Sequence, residues 1–146
     1  MIYVIDHKDS FTHNVVHQLS LFDEVKCDNY NKVDKIKLNK AKVIVFSPGP
    51  GNPKNYPLTS KIYNQFKGKK KIIGICLGFQ QILFCEGAQI VEQNKIYHGY
   101  QSNIKVNSKN SLFNKNQIFK VGRYHSLKLK EPFAAENFDI TMRCVI

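Results

Sequence analysis

The residues of this chain best suited to chemistry form the pentapeptide Gly-Ile-Cys-Leu-Gly at residues 74–78, whose central residue is Cys76. An apolar run precedes it and a helical pattern follows it. A residue on a sharp strand-to-helix turn projects beyond the sheet, and small residues two positions away let the strained turn pack. A helix N-terminus also favours thiolate over thiol. The pattern predicts a nucleophilic cysteine; a small buried core cysteine is the alternative.

A second candidate segment is the loop Ser-Pro-Gly-Pro-Gly-Asn-Pro at residues 47–53, which directly follows the apolar run Val43–Phe46. Continuous apolar runs of this length are typical of strands buried on both faces of a parallel sheet. Binding sites in such sheets lie at the carboxyl ends of the strands. Both the loop and Cys76 fall at such ends, so we expect them at one edge of the sheet.

Apolar runs alternate with helical patterns as far as Gly87. Strands are predicted at residues 2–5, 25–27, 43–46 and 71–75, helices at residues 11–22 (with Ser10 as N-cap), 58–66 and 79–86, and residues 33–39 are ambiguous. This order predicts an α/β fold with a mostly parallel sheet and helices on both faces. Short alternating segments at residues 104–106, 118–121 and 127–129 predict added hairpins, and residues 140–146 alternate like a strand.

Composition narrows the classes of function. The length of 146 residues predicts one domain, and the net charge of +11 comes almost entirely from lysine, with arginine only at Arg123 and Arg143. Because nucleic-acid recognition depends strongly on arginine, solvated turns explain this charge better than a nucleic-acid partner. No run approaches membrane-span length, no signal peptide is recognised, and the four cysteines lack metal or disulfide spacing. We therefore expect a cytoplasmic protein that does not bind a membrane.

The chain resembles the class I (triad-type) glutamine amidotransferases, and within them the small subunits of anthranilate synthase and aminodeoxychorismate synthase. The resemblance rests on five segments taken together: residues 5–14, 47–53, 74–82, 98–99 and 123–127. It implies a flavodoxin-like fold, no metal and no cofactor. It also implies a subunit that hydrolyses glutamine and passes ammonia to a chorismate-binding synthase component I, which makes anthranilate or 4-amino-4-deoxychorismate.

The resemblance also implies a role for each matched residue. Cys76 would attack the side-chain amide of glutamine to give a γ-glutamyl thioester. The backbone N–H groups of Gly51 and Leu77 would stabilise the oxyanion. The residues implied in substrate binding are Gly49, Gln80, Ser126 and Leu127. From the residues alone, Gln80 would be an exposed helix position.

One feature of the family is not matched. Family members continue into a Phe-His-Pro-Glu segment that supplies the base and its orienting carboxylate, and these 146 residues do not contain it. We expect a surface or structural role for all five histidines. We therefore expect residues 1–146 to be an amidotransferase domain without its last strand and helix, to be inactive by itself, and to be prone to self-association.

Three other functions remain open at this point. A pseudo-amidotransferase would bind the synthase subunit without hydrolysing glutamine. A different cysteine hydrolase on the same fold would share the elbow but lack affinity for glutamine. A basic nucleic-acid-binding domain would show steeply salt-dependent binding.

Overall fold

The structure is a computed structural model that describes residues 1–133 and 136–145. Four parallel strands form its first sheet: β1 (Ile2–Asp6), β2 (Val25–Asn29), β3 (Val43–Phe46) and β4 (Lys71–Gly74). Their order is β2-β1-β3-β4, so every connection is a crossover that carries helical structure. The predicted α/β class and parallel sheet are confirmed.

The α-helices of the described residues are α1 (Thr12–Ser20), α2 (Lys35–Lys40), α3 (Pro57–Phe66) and α4 (Leu77–Cys85). One face of the sheet, which includes Tyr3 and Phe46, packs against Leu38 of α2 and Tyr63 of α3. The opposite face packs against Val15 of α1. Because successive side chains of a strand point to opposite faces, these apolar strands present apolar residues on both faces of the sheet. The prediction of helices on both sides is confirmed.

Two helix starts differ from the sequence interpretation. Ser10 is not the N-cap of α1, because Asp9 Oδ2 accepts a hydrogen bond from the backbone N–H of Phe11 at 2.8 Å and shapes the turn instead. The ambiguous residues 33–39 contain α2. Its N-cap is Asp34, whose Oδ1 accepts from the N–H groups of Ile36 and Lys37. In both places an aspartate provides the side-chain acceptor that helix and turn starts favour.

The chain divides into two compact units, one from Met1 to Ile90 and one from Val91 onward. The second sheet has the order β6-β5-β7, with β5 at Ile90–Val106, β6 at Ile118–Leu129 and β7 at Met142–Cys144. β5 and β7 pair antiparallel. Of the strand predicted at residues 140–146, Ile146 lies outside the described residues.

The hairpin strands are longer than predicted. Residues 104–106 are only the end of the 17-residue β5, and residues 118–121 and 127–129 belong to one strand, β6. Along β6, half-buried residues alternate regularly with exposed ones. Polar side chains occupy part of both faces, so the apolar pattern marked only fragments of each strand.

Within the described ranges, no helix is both long enough and apolar enough to cross a bilayer.

Two glycines allow α4 to approach the sheet. A Cβ built on Gly78 would lie 2.2 Å from the carbonyl oxygen of Phe46, at the end of β3. A Cβ built on Gly74 would lie 2.4 Å from the carbonyl carbon of Gly78. Since both neighbours are backbone atoms, no side-chain rotation relieves either clash. The start of α4 therefore packs against the sheet only with glycine at both positions.

We expect Gly78→Ala to lower the free energy of unfolding of the first unit by about 2 kcal/mol or more, because β3 and α4 must separate to admit a methyl group. Urea unfolding followed by circular dichroism measures this change. Gly68→Asn is the control, because a Cβ there meets nothing within 4 Å and asparagine tolerates its φ of +75°. Equal unfolding midpoints for the two variants would contradict the packing argument.

Candidate active site

Cys76 lies on the turn between β4 and α4. Its φ of 54° and ψ of −106° place it in a region that non-glycine residues rarely adopt. The turn is held by the Gly78 N–H, which donates to the Ile75 carbonyl at 2.9 Å, and by the Gln80 N–H, which donates to the Cys76 carbonyl at 3.0 Å. Strain of this kind is characteristic of functional sites. The predicted sharp strand-to-helix turn is present.

The environment of the Cys76 thiol favours the protonated form. Partial burial of the Cys76 side chain raises the pKa of the thiol, and the negative charge of Asp9 raises it further. The backbone N–H of Leu77 lowers it. The pKa therefore lies above its ordinary value. The N–H of Leu77 at the helix N-terminus favours the thiolate, as expected, but the cost of burying a charge outweighs this contribution.

The glycine-rich loop after β3 contacts the cysteine turn at Gly49. A Cβ built on Gly49 would lie 2.7 Å from Cδ2 of Leu77 and 2.6 Å from Cβ of His7. The loop backbone therefore passes directly against the first residue of α4. Two positions later, Gly51 has a φ of +81°, a conformation that glycine adopts without steric cost. The two segments singled out from sequence thus meet at one edge of the sheet.

Hydrogen bonds within residues 50–56 fix the shape of this loop. The Tyr56 hydroxyl donates to the Pro50 carbonyl at 2.6 Å. The N–H of Asn52 donates to Oδ1 of Asn55 at 2.8 Å, and Oδ1 of Asn52 accepts from the N–H of Lys54 at 3.1 Å. This reciprocal capping closes the 3₁₀ turn Pro53–Asn55. The conformation at the glycines is therefore set by the loop itself.

His7 lies directly after β1, is fully buried, and is hydrogen-bonded to Ser47 at the start of the glycine-rich loop. Its backbone N–H donates to Ser47 Oγ at 2.9 Å. Its ring Nδ1 lies 3.2 Å from the Ser47 carbonyl, and Nε2 lies 2.9 Å from the Thr59 hydroxyl. A carbonyl can only accept, which assigns the ring proton to Nδ1 and leaves Nε2 to accept from Thr59. The structural role expected for His7 is the one observed.

The protonation state of His7 follows from its surroundings. Burial lowers the pKa of the ring to about 4, while the hydrogen bond to Ser47 and the nearby charge of Asp6 only partly oppose the shift. Tyr56 meets the ring edge-on at 4.8 Å, and Tyr30 stacks parallel to it at 6.0 Å. His7 is therefore a neutral group at neutral pH. It links the loop that contains Gly49 to α3 through Thr59.

Two glutamines of α4 are buried. Gln80 is 8% exposed, so the interpretation of it as an exposed helix position is wrong. Gln81 is fully buried and donates to Ser60 Oγ at 2.7 Å, and its Oε1 has no hydrogen-bond partner within residues 1–133 and 136–145. Most of α4 is apolar, and its buried residues spread around the helix, although Phe79 and Phe84 are exposed.

The remaining predicted site residues belong to the second unit. Ser126 is exposed on β6 and Leu127, next to it, is half-buried. The carbonyl of Leu127 accepts a hydrogen bond from Gln93 Nε2 at 3.1 Å. Their part in binding a substrate stays a prediction.

Sequence analysis did not predict that the side chains of Ser47, Tyr56 and Thr59 support the loop, or that all three contact the buried His7 ring. Pattern reading identifies apolar faces, and a polar side chain that is buried through its hydrogen bonds leaves no periodic signal.

We expect His7 to make stability depend on pH. The folded-state pKa of about 4 lies below the ordinary 6.5, so the unfolded chain takes up this proton first as the pH falls. The contribution of His7 is complete above about pH 6.5, and about 3 kcal/mol is lost as the pH approaches 4.

Urea unfolding of the wild type and His7→Asn at about pH 7 and about pH 4.5 measures the effect. The variant should lose less stability than the wild type between the two pH values. His17→Asn, at an exposed position of α1, is the control and should follow the wild type. Parallel losses in all three proteins would contradict a neutral buried His7.

Comparison with known proteins agrees with the geometry. The family model described as glutamine amidotransferase class-I matches residues 3–145. Anthranilate synthase component 2 of Lactococcus lactis is 38% identical, over 97% of this chain and 72% of that protein. Aminodeoxychorismate synthase component 2 of Klebsiella aerogenes is 35% identical, over 98% of this chain and 78% of that protein.

A solved structure of a glutamine amidotransferase from Methylobacillus flagellatus superposes with a TM-score of 0.75. It is 11% identical, and the match covers 99% of this chain and 60% of that one. At this identity it shows a shared fold and no more. The family model and the two relatives together show that the chain belongs to the class-I glutamine amidotransferase family.

Proposed function

We propose that this chain is the glutaminase component of a chorismate-utilising synthase, which hydrolyses glutamine at Cys76 and delivers ammonia to a component I subunit. The observation that carries the proposal is the contact between Gly49 and Leu77, which brings the glycine loop against the strained cysteine turn. The names of the Lactococcus and Klebsiella relatives support the choice of synthase. The product is anthranilate or 4-amino-4-deoxychorismate, and the chain works in the cytoplasm as a single amidotransferase domain.

The chemistry begins at the sulfur of Cys76. The thiolate attacks the side-chain amide carbon of glutamine, and the carbonyl oxygen becomes an oxyanion. The nitrogen takes up a proton and leaves as ammonia, which gives a γ-glutamyl thioester. Water then attacks the thioester, releases glutamate and restores the thiol. No metal or cofactor takes part in these steps.

The oxyanion is stabilised by two backbone N–H groups, those of Gly51 and Leu77. Leu77 N–H already faces the sulfur and lies on the first turn of α4, where the partial positive charge of the helix adds to its effect. Gly51 brings its N–H from the loop, whose conformation the capping bonds fix before substrate arrives. Gly49, Gln80, Ser126 and Leu127 bind the substrate.

A base must remove the proton from Cys76, since its pKa lies above the ordinary thiol value. Within the described residues, no histidine hydrogen-bonds to this thiol, and the His7 ring is held by Ser47 and Thr59. The Phe-His-Pro-Glu segment that supplies the family's base is not among these 146 residues. We propose that these residues alone bind glutamine and hold the nucleophile but lack the base.

We expect a chloroketone analogue of glutamine to alkylate Cys76, with loss of chloride and formation of a carbon–sulfur bond. Free glutamine should protect the site, and Cys76→Ser should abolish the labelling. Because only the thiolate reacts and the pKa is raised, the rate should increase about tenfold per pH unit between about pH 6 and 8. Peptide mass spectrometry after timed labelling measures both.

Cys144→Ser is the control for this labelling, because Cys144 is an exposed thiol on β7 and not part of the cysteine turn, so its loss should not change modification of Cys76. Labelling of Cys76 that glutamine does not slow would indicate a cysteine hydrolase for another substrate.

We expect glutamine hydrolysis by the 146-residue chain to be slower by several orders of magnitude than in a complete amidotransferase, because loss of the base in a catalytic triad costs on the order of 10⁶ in turnover in a serine enzyme. A coupled glutamate assay on the purified chain measures this rate. Rapid hydrolysis that Cys76→Ser abolishes would show that a residue of this chain acts as the base.

A further inference from the structure

The second unit presents a cluster of two cations and two tyrosines that the proposed chemistry does not use. It consists of Lys95, Tyr97 and Tyr100 on β5 and Arg123 on β6, and is called the cation–aromatic patch below. The guanidinium carbon of Arg123 lies 3.7 Å from the centre of the Tyr97 ring. Nζ of Lys95 lies 5.5 Å from the Tyr97 ring and 4.7 Å from the Tyr100 ring. These are cation–π distances.

A glycine brings the two tyrosines together. Residues three apart on a regular strand point to opposite faces, because side chains alternate. Gly99, between the two tyrosines, has a φ of +76°, which breaks the alternation as a bulge does. The two rings consequently lie 6.0 Å apart, edge to face. The backbone conformation at Gly99 therefore fixes the two tyrosines of the patch next to each other.

The cations of the patch lack anionic partners within the described residues. Of the ion pairs found there, none includes Lys95 or Arg123. Arg123 is instead oriented by a hydrogen bond to Gln93 Oε1 at 3.3 Å. Lys95 and Tyr100 are exposed, and Tyr97 and Arg123 are half-buried. The patch therefore offers positive charge and aromatic area that this unit leaves uncompensated.

We propose that the cation–aromatic patch docks an acidic surface of the component I subunit, so the inference rests on the proposed function. Tyrosine and arginine are enriched among the few residues that carry most of the binding energy of protein interfaces, and positive and negative groups are complementary across such interfaces. Arg123 is held in place before association, so less entropy is lost when it meets a carboxylate. Lys95 lies at the exposed rim, where charge steers association.

The geometry disfavours two other occupants. Nucleic-acid bases stack on open ring faces, whereas a cation of the same chain lies over each of these rings and the rings meet edge to face. In a two-fold dimer through this patch, both copies would bring the same positive charge into one interface. An acidic protein surface satisfies the cations and the tyrosine hydroxyls together.

The opposite face of the hairpin provides a matched control. Lys120 and Tyr124 lie on β6 at exposed positions that alternate with Arg123. Tyr124 packs edge-on against His98 at 5.4 Å. This face therefore also carries a lysine and a tyrosine, in the same sheet and with similar exposure, but without the paired cation–π contacts.

Association of the full 146-residue chain with its cognate component I subunit, measured by surface plasmon resonance at low and high salt, tests the proposal. Lys95→Glu and Tyr100→Ala should each weaken binding about tenfold. Because the two side chains are in contact, the double variant should weaken binding by less than the product of the two effects. Lys95→Arg should stay within about threefold of the wild type. The control variants Lys120→Glu and Tyr124→Ala should stay within about twofold, and higher salt should weaken the wild type more than Lys95→Glu.

The outcomes separate the two proposals. If the wild type does not bind component I, the proposed function fails and this inference fails with it. If the wild type binds and the patch variants bind equally well, or if the control variants weaken binding as much, only this inference is overturned. It is also overturned if the patch variants instead abolish binding to single-stranded DNA or self-association in sedimentation.

Discussion

The close approach of Gly78 to the carbonyl group of Phe46 is the contact on which the candidate site depends. Phe46 ends β3, and its carbonyl oxygen accepts the N–H of Ile75 at 3.1 Å while lying against Gly78. The residue after Phe46 begins the glycine-rich loop, and the residue after Ile75 is Cys76. One backbone position therefore holds both the loop and Cys76, and neither can move far without the other.

A second layer of support lies beneath the loop. A neutral histidine is an unusual choice for such a position, because it satisfies a carbonyl and a hydroxyl at once only in one tautomer. Ser47 completes the arrangement, since its hydroxyl accepts from the His7 N–H and donates to the Pro48 carbonyl at 2.7 Å. These hydrogen bonds satisfy backbone groups of the loop that water would otherwise have to satisfy, so irregular backbone can lie next to the core.

The parts of the molecule that could be predicted from sequence are those governed by period and by local sterics. Continuous apolar runs located β1, β3 and β4, and the glycines around Cys76 indicated a turn that only small residues allow. The N-cap of α1 was misplaced by one residue, because no side chain caps this helix and Asp9 instead accepts from the Phe11 N–H in the turn before it. Gln80 was misread without the resemblance because an amide carries no sign of burial.

In the second unit, the sequence predicted the strands only in part. In β5 and β6, side chains on both faces are partly polar, so hydrophobic alternation detected only fragments of each strand. The contacts between Arg123 and Tyr97 and between Tyr97 and Tyr100 depend on the turn in backbone direction at Gly99. The backbone angle at one glycine cannot be predicted from the composition of the chain or from the spacing of its apolar residues.

The raised pKa of Cys76 also bears on how the chain survives in the cell. Peroxides and other electrophiles react with thiolates, so a cysteine that remains a thiol at rest is oxidised slowly. A cysteine kept permanently ionised would be exposed to irreversible sulfinic and sulfonic products throughout the life of the protein. Burial of the Cys76 sulfur therefore favours the form of this side chain that is least open to oxidation, and the position that raises the pKa also protects the residue chemically.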